Sequence, residues 1–248
     1  LKGGLTMDEE LNKRVQTIRT RLEKAALERW GRAPEIIAVS KTVAAAQVNH
    51  AKDAGITHLG ENRVQEILEK LPHLDASFQI DLIGQLQNNK VKYIIDKVAM
   101  IQSLDRESLA QEIDRRAQQH GIQMPVLIQV NIGSEPQKGG IAVEELFSFA
   151  RKAARLSGLD IQGLMAVMPF LQDDDALRPY FVQMRRLFEE LRNEAIDGTH
   201  IQELSMGMSG DYELAAQEGA THVRIGSAIF GARNYAAQQF DLKGETRS

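Results

Sequence analysis

The chain has 248 residues, 43% hydrophobic and 26% charged, enough to bury a sizeable core in one domain or two. A formal net charge of −4 argues against nucleic acid as the main partner, and the absence of cysteine excludes disulfides, thiolate nucleophiles and Cys-bound metals. No run of about 18 apolar residues offers a membrane span, and a chain without cysteine fits the cytoplasm.

The opening "LKGGLTM", residues 1–7, reads as a leader, and residues 8–248 as a single domain. "DEELNKRVQTIRTRLEKAALERWG" has apolar residues at helical spacing, so a long amphipathic helix comes first. Strands and helices then alternate. "EIIAVSK" precedes the helix "AAAQVNHAKDAG", closed by Gly55, and "THLGEN" precedes "RVQEILEKL", stopped by Pro72. "FQIDLIGQ" leads to "NKVKYIIDKVA", "MIQSLD" to "RESLAQEIDRRAQQHG", and "PVLIQVNIG" to "VEELFSFARKAARLSG". "IQGLMAVMP" leads to "YFVQMRRLFEELRNEA", "IQELSMGMS" to "YELAAQEG", and "THVRIGSAIFG" is the last strand.

Eight strands separated by helices imply parallel pairing, because a parallel crossover needs a connection of that length. The expected fold is a single (β/α)8 TIM barrel with an extra N-terminal helix. A doubly wound open sheet is the alternative, but "VSKTVAAA" lacks the Gly-rich turn such a sheet carries after its first strand. The extra helix would plug the bottom or flank the side.

Barrel sites lie at the C-terminal strand ends. Those ends hold Lys41, Glu61 to Arg63, Gly84 and Gln85, Ser103 to Asp105, Asn131, Met165, Ser205 to Ser209, and Arg224 with Gly226 and Ser227. A desolvated lysine at Lys41 has a depressed pKa and captures an aldehyde; otherwise its stem packs and its head reaches water. "SMGMSGD" and "RIGSAIFG" are Gly/Ser turns after strands seven and eight, where barrels hold phosphate, although glycines also serve tight turns alone. Arg224 shares the interior face with Gly226, as a ligand contact or as half of a salt bridge. The six histidines are scattered without an HExxH spacing, so no metal is expected. Lys138 in "EPQKGG" could reach over the mouth, but a surface role is the default, and Tyr93, Tyr180, Tyr212 and Tyr235 read as helical or loop positions.

"IIAVSKT", "GENRVQE", "LIGQLQNNK", "QVNIGSEPQKGG", "GLMAV" and "LSMGMSGDYELAAQEGATHVRIGSAIFG" together resemble the pyridoxal phosphate homeostasis proteins, the YggS/PROSC family. Those proteins are similar to the N-terminal barrel of alanine racemase. The resemblance implies that Lys41 carries pyridoxal 5′-phosphate as a Schiff base and that Asn62 lies beside the ring. It places Met206, Ser209, Gly226 and Ser227 around the phosphate and Arg224 at the pyridine nitrogen. It departs from the common pattern at Asp81, Gln85 and Gln102, where many members carry histidine. It implies a protein that buffers and delivers the cofactor to apo-enzymes without robust catalysis, as a monomer with a weak dimer as the alternative. Racemases add a second base from a β-rich domain, and no such domain is expected here. A weak racemase or transaminase is the second reading, and a Schiff-base aldolase the third.

Overall fold

The computed structural model describes residues 6–231. Its centre is a closed barrel of eight parallel strands in sequence order: β1 (Glu35–Val39), β2 (His58–Glu61), β3 (Gln79–Leu82), β4 (Met100–Leu104), β5 (Met124–Gln129), β6 (Leu159–Met165), β7 (Thr199–Ser205) and β8 (His222–Ile225). β8 pairs back onto β1, with Glu35 opposite His222 and Ile37 opposite Arg224. The helices are α1 (Met7–Trp30), α2 (Ala45–Asn49), α3 (Val64–Lys70), α4 (Glu107–His120), α5 (Leu146–Ala153), α6 (Asp174–Asn193), α7 (Tyr212–Gln217) and α8 (Ser227–Phe230). The TIM barrel is the predicted one.

The barrel is built from apolar runs because both faces of a parallel sheet are covered. α1 begins with a capping box between Thr6 and Glu9, so the first helix runs from Met7 with Thr6 as its N-cap. Residues 1–5 and 232–248, including Tyr235, lie outside the described residues. Leu11, Val15, Ile18, Leu22 and Ala26 form the buried stripe of α1, spaced three or four apart to face one side. The helix flanks the barrel near the β8–β1 seam: Trp30 Nε1 donates to Gln217 O at 2.9 Å and Arg19 Nη2 to Gly55 O at 2.7 Å. Truncating fully buried Leu22 to Ala would cost about 2–5 kcal/mol.

Two elements differ from expectation. The segment "NKVKYIIDKVA" forms only a 3-10 stretch, Asn88–Tyr93. Its β-branched Val91, Ile94 and Ile95 are all fully buried, and burying them, with the stretch packed on α4 and α3, decides its path over their weak helix preference. The last strand stops at Ile225, and residues 227–230 turn into α8. Gly226, at φ −110° and ψ −81°, leaves the extended path there, so Arg224 lies inside a strand and Ser227 opens a helix.

Candidate functional site

Strand parity decides which side chains enter the barrel. Paired residues in a parallel ladder face the same way and successive residues alternate. Ile37 pairs with both His58 and Arg224, Val39 with Gly60, and Gly60 with Asp81. Arg224 reaches across the interior, so its partners in register also face inward. The same alternation, carried past the strand ends, brings Lys41, Asn62 and Gly226 to the C-terminal mouth.

Lys41 is half-buried, two residues beyond β1. The next residue, Thr42, is left-handed at φ +65°, and its N–H donates to the Glu66 carboxylate. Beneath this turn lies a buried charged cluster. Lys70 Nζ donates to Ser40 O at 2.6 Å, Glu61 Oε1 at 2.8 Å and Glu66 Oε1 at 2.7 Å, which uses all three ammonium protons. Ser40 Oγ donates to Glu61 Oε1 at 2.6 Å. Burial pushes the Glu61 carboxyl above the usual range, against the pull of Lys70.

Asn62 follows β2 directly, and its Oδ1 is buried without a hydrogen-bond partner. An orphaned amide oxygen at a site mouth is a position for a ligand donor. Gly84 packs against it: a Cβ there would lie 2.2 Å from Asn62 O, so any other residue would displace the Asn62 backbone.

The turns after β7 and β8 meet. Gly226 N–H donates to Ser209 Oγ at 3.2 Å, and Arg224 N–H to Gly207 O at 2.9 Å. Met206 is fully buried beneath them, whereas Ser227 is exposed at the start of α8. A Cβ on Gly226 would come within 3.2 Å of Val39 O, so the glycine allows close approach to β1. The first N–H groups of α8 lack intrahelical acceptors, as at any helix start.

Arg224 is buried. Its Nη1 donates to Ser205 Oγ and its Nη2 to Ala166 O, each at 2.7 Å. The salt bridge anticipated as one alternative is absent among the described residues; burial pulls its pKa down to about 10, with Asp211 opposing from a distance. Desolvation in turn pushes the Asp211 carboxyl up. Two of the five guanidinium donors are committed within the protein, leaving others for a ligand.

Lys138 is not a solvated surface lysine. Its Nζ donates to Glu135 Oε1 at 2.6 Å and Met168 O at 2.9 Å, while Asn131 Nδ2 donates to Glu135 O at 2.9 Å. Asn131 therefore shapes the loop after β5. The motifs singled out in the sequence did not include Lys70, whose helix position hid its reach beneath the Lys41 turn. Nor did they reveal the link between Asp81 and Gln102, whose Nε2 donates to Asp81 Oδ2 at 2.8 Å.

Two cavities lie elsewhere. A cavity of about 590 Å3 opens among the N-terminal strand ends, and one of about 320 Å3 lies between α1 and the starts of β1 and β2. The mouth itself presents an orphaned amide, an arginine with spare donors and two joined Gly/Ser turns. These residues fit a flat heteroaromatic ring bearing a phosphate and an aldehyde.

Residues 11–234 match the family described as "Alanine racemase, N-terminal domain". The "Pyridoxal phosphate homeostasis protein" of Aquifex aeolicus is 42% identical over 226 residues, covering 90% of this chain and 98% of that protein. The chain belongs to the pyridoxal phosphate homeostasis protein family. The solved structure of PipY, described as the COG0325 family member of Synechococcus elongatus PCC7942 with PLP bound, superposes with a TM-score of 0.78 at 32% identity, covering 89% of this chain and 100% of that one. Alanine racemase of Clostridium difficile shares the fold at a TM-score of 0.68 and 15% identity, covering 90% of this chain and 57% of that one. The homeostasis family expected from the motifs is thus the one found.

Proposed function

We propose that this chain binds pyridoxal phosphate at the C-terminal barrel mouth and holds it in reserve for other proteins. The observation that carries the reading is the Gly226–Ser209 hydrogen bond, which joins two phosphate-type turns on the interior face shared by Arg224 and Lys41. PipY, a relative of nearly the same length, is described with PLP bound. The cofactor supplies an aldehyde, a pyridine ring and a phosphate dianion.

Each residue has a distinct task in this reading. Lys41 is the covalent anchor for the aldehyde. Asn62 uses its orphaned amide oxygen, and the neighbouring NH2, to orient groups on the ring. Arg224 remains a cation at neutral pH, since its pKa of about 10 is well above 7. It therefore donates a hydrogen bond to the ring nitrogen without surrendering a proton, and the ring is a weaker electron sink. Ser209 turns its O–H outward while its oxygen accepts from Gly226, and Ser227 and the first N–H groups of α8 complete the phosphate cradle. Met206 seals the cradle from below.

Holding without turnover fits the positions of the tyrosines. Tyr93 is exposed beside Lys90 and Lys92, Tyr180 lies on α6, and the Tyr212 hydroxyl takes Arg21 of α1. None of these is placed as a second base opposite Lys41. The recipients are apo-enzymes that use the same cofactor, and the protein acts as a monomer in the cytoplasm. Among the described residues no helix is long and apolar enough to cross a membrane.

Borohydride reduction of the purified protein followed by peptide mass spectrometry tests the assignment. A pyridoxyl group on Lys41 is expected. An adduct only on another lysine, or none, overturns it.

A further inference from the structure

Three strands begin with side chains that can bind a metal. Glu35, His58 and His222 are the first residues of β1, β2 and β8, which are neighbours in the barrel. Glu35 pairs with His222 in register, and His58 is inward by the same parity as Arg224. All three therefore meet at the barrel floor, the end opposite Lys41. Sequence spacing concealed this, since α2 and its 3-10 extension separate Glu35 from His58, and His222 lies on the last strand of the barrel.

The atoms converge. Glu35 Oε2 lies 3.5 Å from His58 Nδ1 and 3.7 Å from His222 Nε2, and the three atoms are within 4.8 Å of one another. Ligand atoms of a tetrahedral zinc ion, with bonds of about 2.0–2.1 Å, are about 3.3 Å apart. The floor is thus nearly pre-formed and needs only a small contraction.

The second nitrogens fix which atoms face inward. His58 Nε2 is hydrogen-bonded to Gln79 Oε1, which accepts, so the proton sits on Nε2 and Nδ1 keeps its lone pair. That Nδ1 is buried with no hydrogen-bond partner. His222 Nδ1 lies 3.0 Å from both Glu203 Oε2 and Thr221 Oγ1, and the Thr221 hydroxyl itself donates to Glu203, so the Nδ1 proton faces the carboxylate and the Nε2 lone pair faces Glu35. Carboxylate-to-histidine pairing of this kind orients imidazoles toward a metal. Two lone pairs and a carboxylate then point at one place, which favours a cation. Glu203 and Asp81 also line the cavity of about 590 Å3, against the single guanidinium of Arg32. The cavity leaves room for water or a small ligand in the fourth position.

We propose that Glu35, His58 and His222 bind a divalent transition-metal ion of the zinc class, with Glu203 positioning His222. Two imidazoles and one carboxylate suit zinc or cobalt better than magnesium or calcium, which prefer all-oxygen sites. The site is independent of pyridoxal phosphate.

The test uses the tag-free full chain, with and without added pyridoxal phosphate. Zinc content is measured after dialysis against zinc and then metal-free buffer, and cobalt(II) is titrated by its visible ligand-field bands. One equivalent of zinc and a four-coordinate cobalt spectrum are expected. His222→Ala and His58→Ala should abolish retention, Glu203→Gln should weaken affinity about 10–100-fold, and Lys41→Ala should change nothing. Circular dichroism checks folding; if a histidine variant unfolds, Glu35→Gln carries the test, since that side chain is 66% exposed at a strand start. Substoichiometric zinc, or retention unchanged in folded Glu35→Gln and in the histidine variants, overturns the proposal. So do imidazole NMR signals showing both His58 and His222 as imidazolium at neutral pH in the presence of zinc.

Discussion

Arg224 Nη1 donates to Ser205 Oγ at 2.7 Å, and that hydroxyl donates onward to Gln102 Oε1 at 2.7 Å. With the Gln102–Asp81 bond the chain crosses the barrel from β8 through β7 and β4 to β3. Such a network is stiff while every member is satisfied and costly once one is removed. Ser205→Ala strands Gln102 Oε1 and one Arg224 donor in the core. A loss of about 1–3 kcal/mol in urea unfolding is expected; an unchanged midpoint would mean that water replaces the hydroxyl.

Asp81 sets a pH dependence. Burial pushes its carboxyl above the ordinary aspartate range, against His58 and Gln102. A carboxyl whose folded pKa is raised contributes most below its unfolded value, about 3.9, and that contribution is lost as pH rises through the folded value. Asp81→Asn keeps an acceptor for Gln102 and removes the ionisation. The variant should match the parent near pH 4 and become relatively more stable toward pH 8. A stability difference constant across that range would show that Asp81 does not titrate anomalously.

Lys70 compensates the buried Glu61 and the half-buried Glu66 carboxylates below the Lys41 turn. Lys70→Ala leaves Glu61 buried and unpaired, at a cost of about 3–5 kcal/mol. Adding Glu61→Gln should restore part of that loss. A double variant no more stable than Lys70→Ala would point to packing of the lysine stem instead.

The phosphate cradle is tested by Ser209→Ala and Ser227→Ala. Under the proposed function each lost hydrogen bond to the dianion weakens cofactor retention by about 1.5–3 kcal/mol. Equilibrium dialysis reads this as tenfold or more in Kd. Equal retention by the double variant would place the phosphate away from these turns.

Amino-acid turnover should be slight. A positioned general base contributes about 10²–10⁴-fold, and the described tyrosines are not placed to serve as one. Deuterium exchange at the α-carbon of L- and D-alanine detects proton abstraction on either face. Rapid exchange that depends on Lys41 would make this chain an enzyme.

The barrel was legible in the sequence because its signal is periodic. Strand and helix patterns alternate eight times, and parallel pairing follows from the length of the connections. The Gly/Ser turns after the last two strands were legible too, as were Lys41 just past an apolar strand and Arg224 inside one; their part in a cofactor site is the proposal made above. Local rules misjudged residues 227–230, where an apolar run that reads as strand becomes α8 once Gly226 redirects the backbone. They misjudged "NKVKYIIDKVA" because burial of Val91, Ile94 and Ile95 sets its path. Only the closed barrel decided which distant side chains meet. Pairing of β8 with β1 puts His222 beside Glu35, and the interior parity aligns Arg224, Ser205, Gln102 and Asp81. Those contacts depend on strand register across the ring, a property of pairing between segments and not of any one segment.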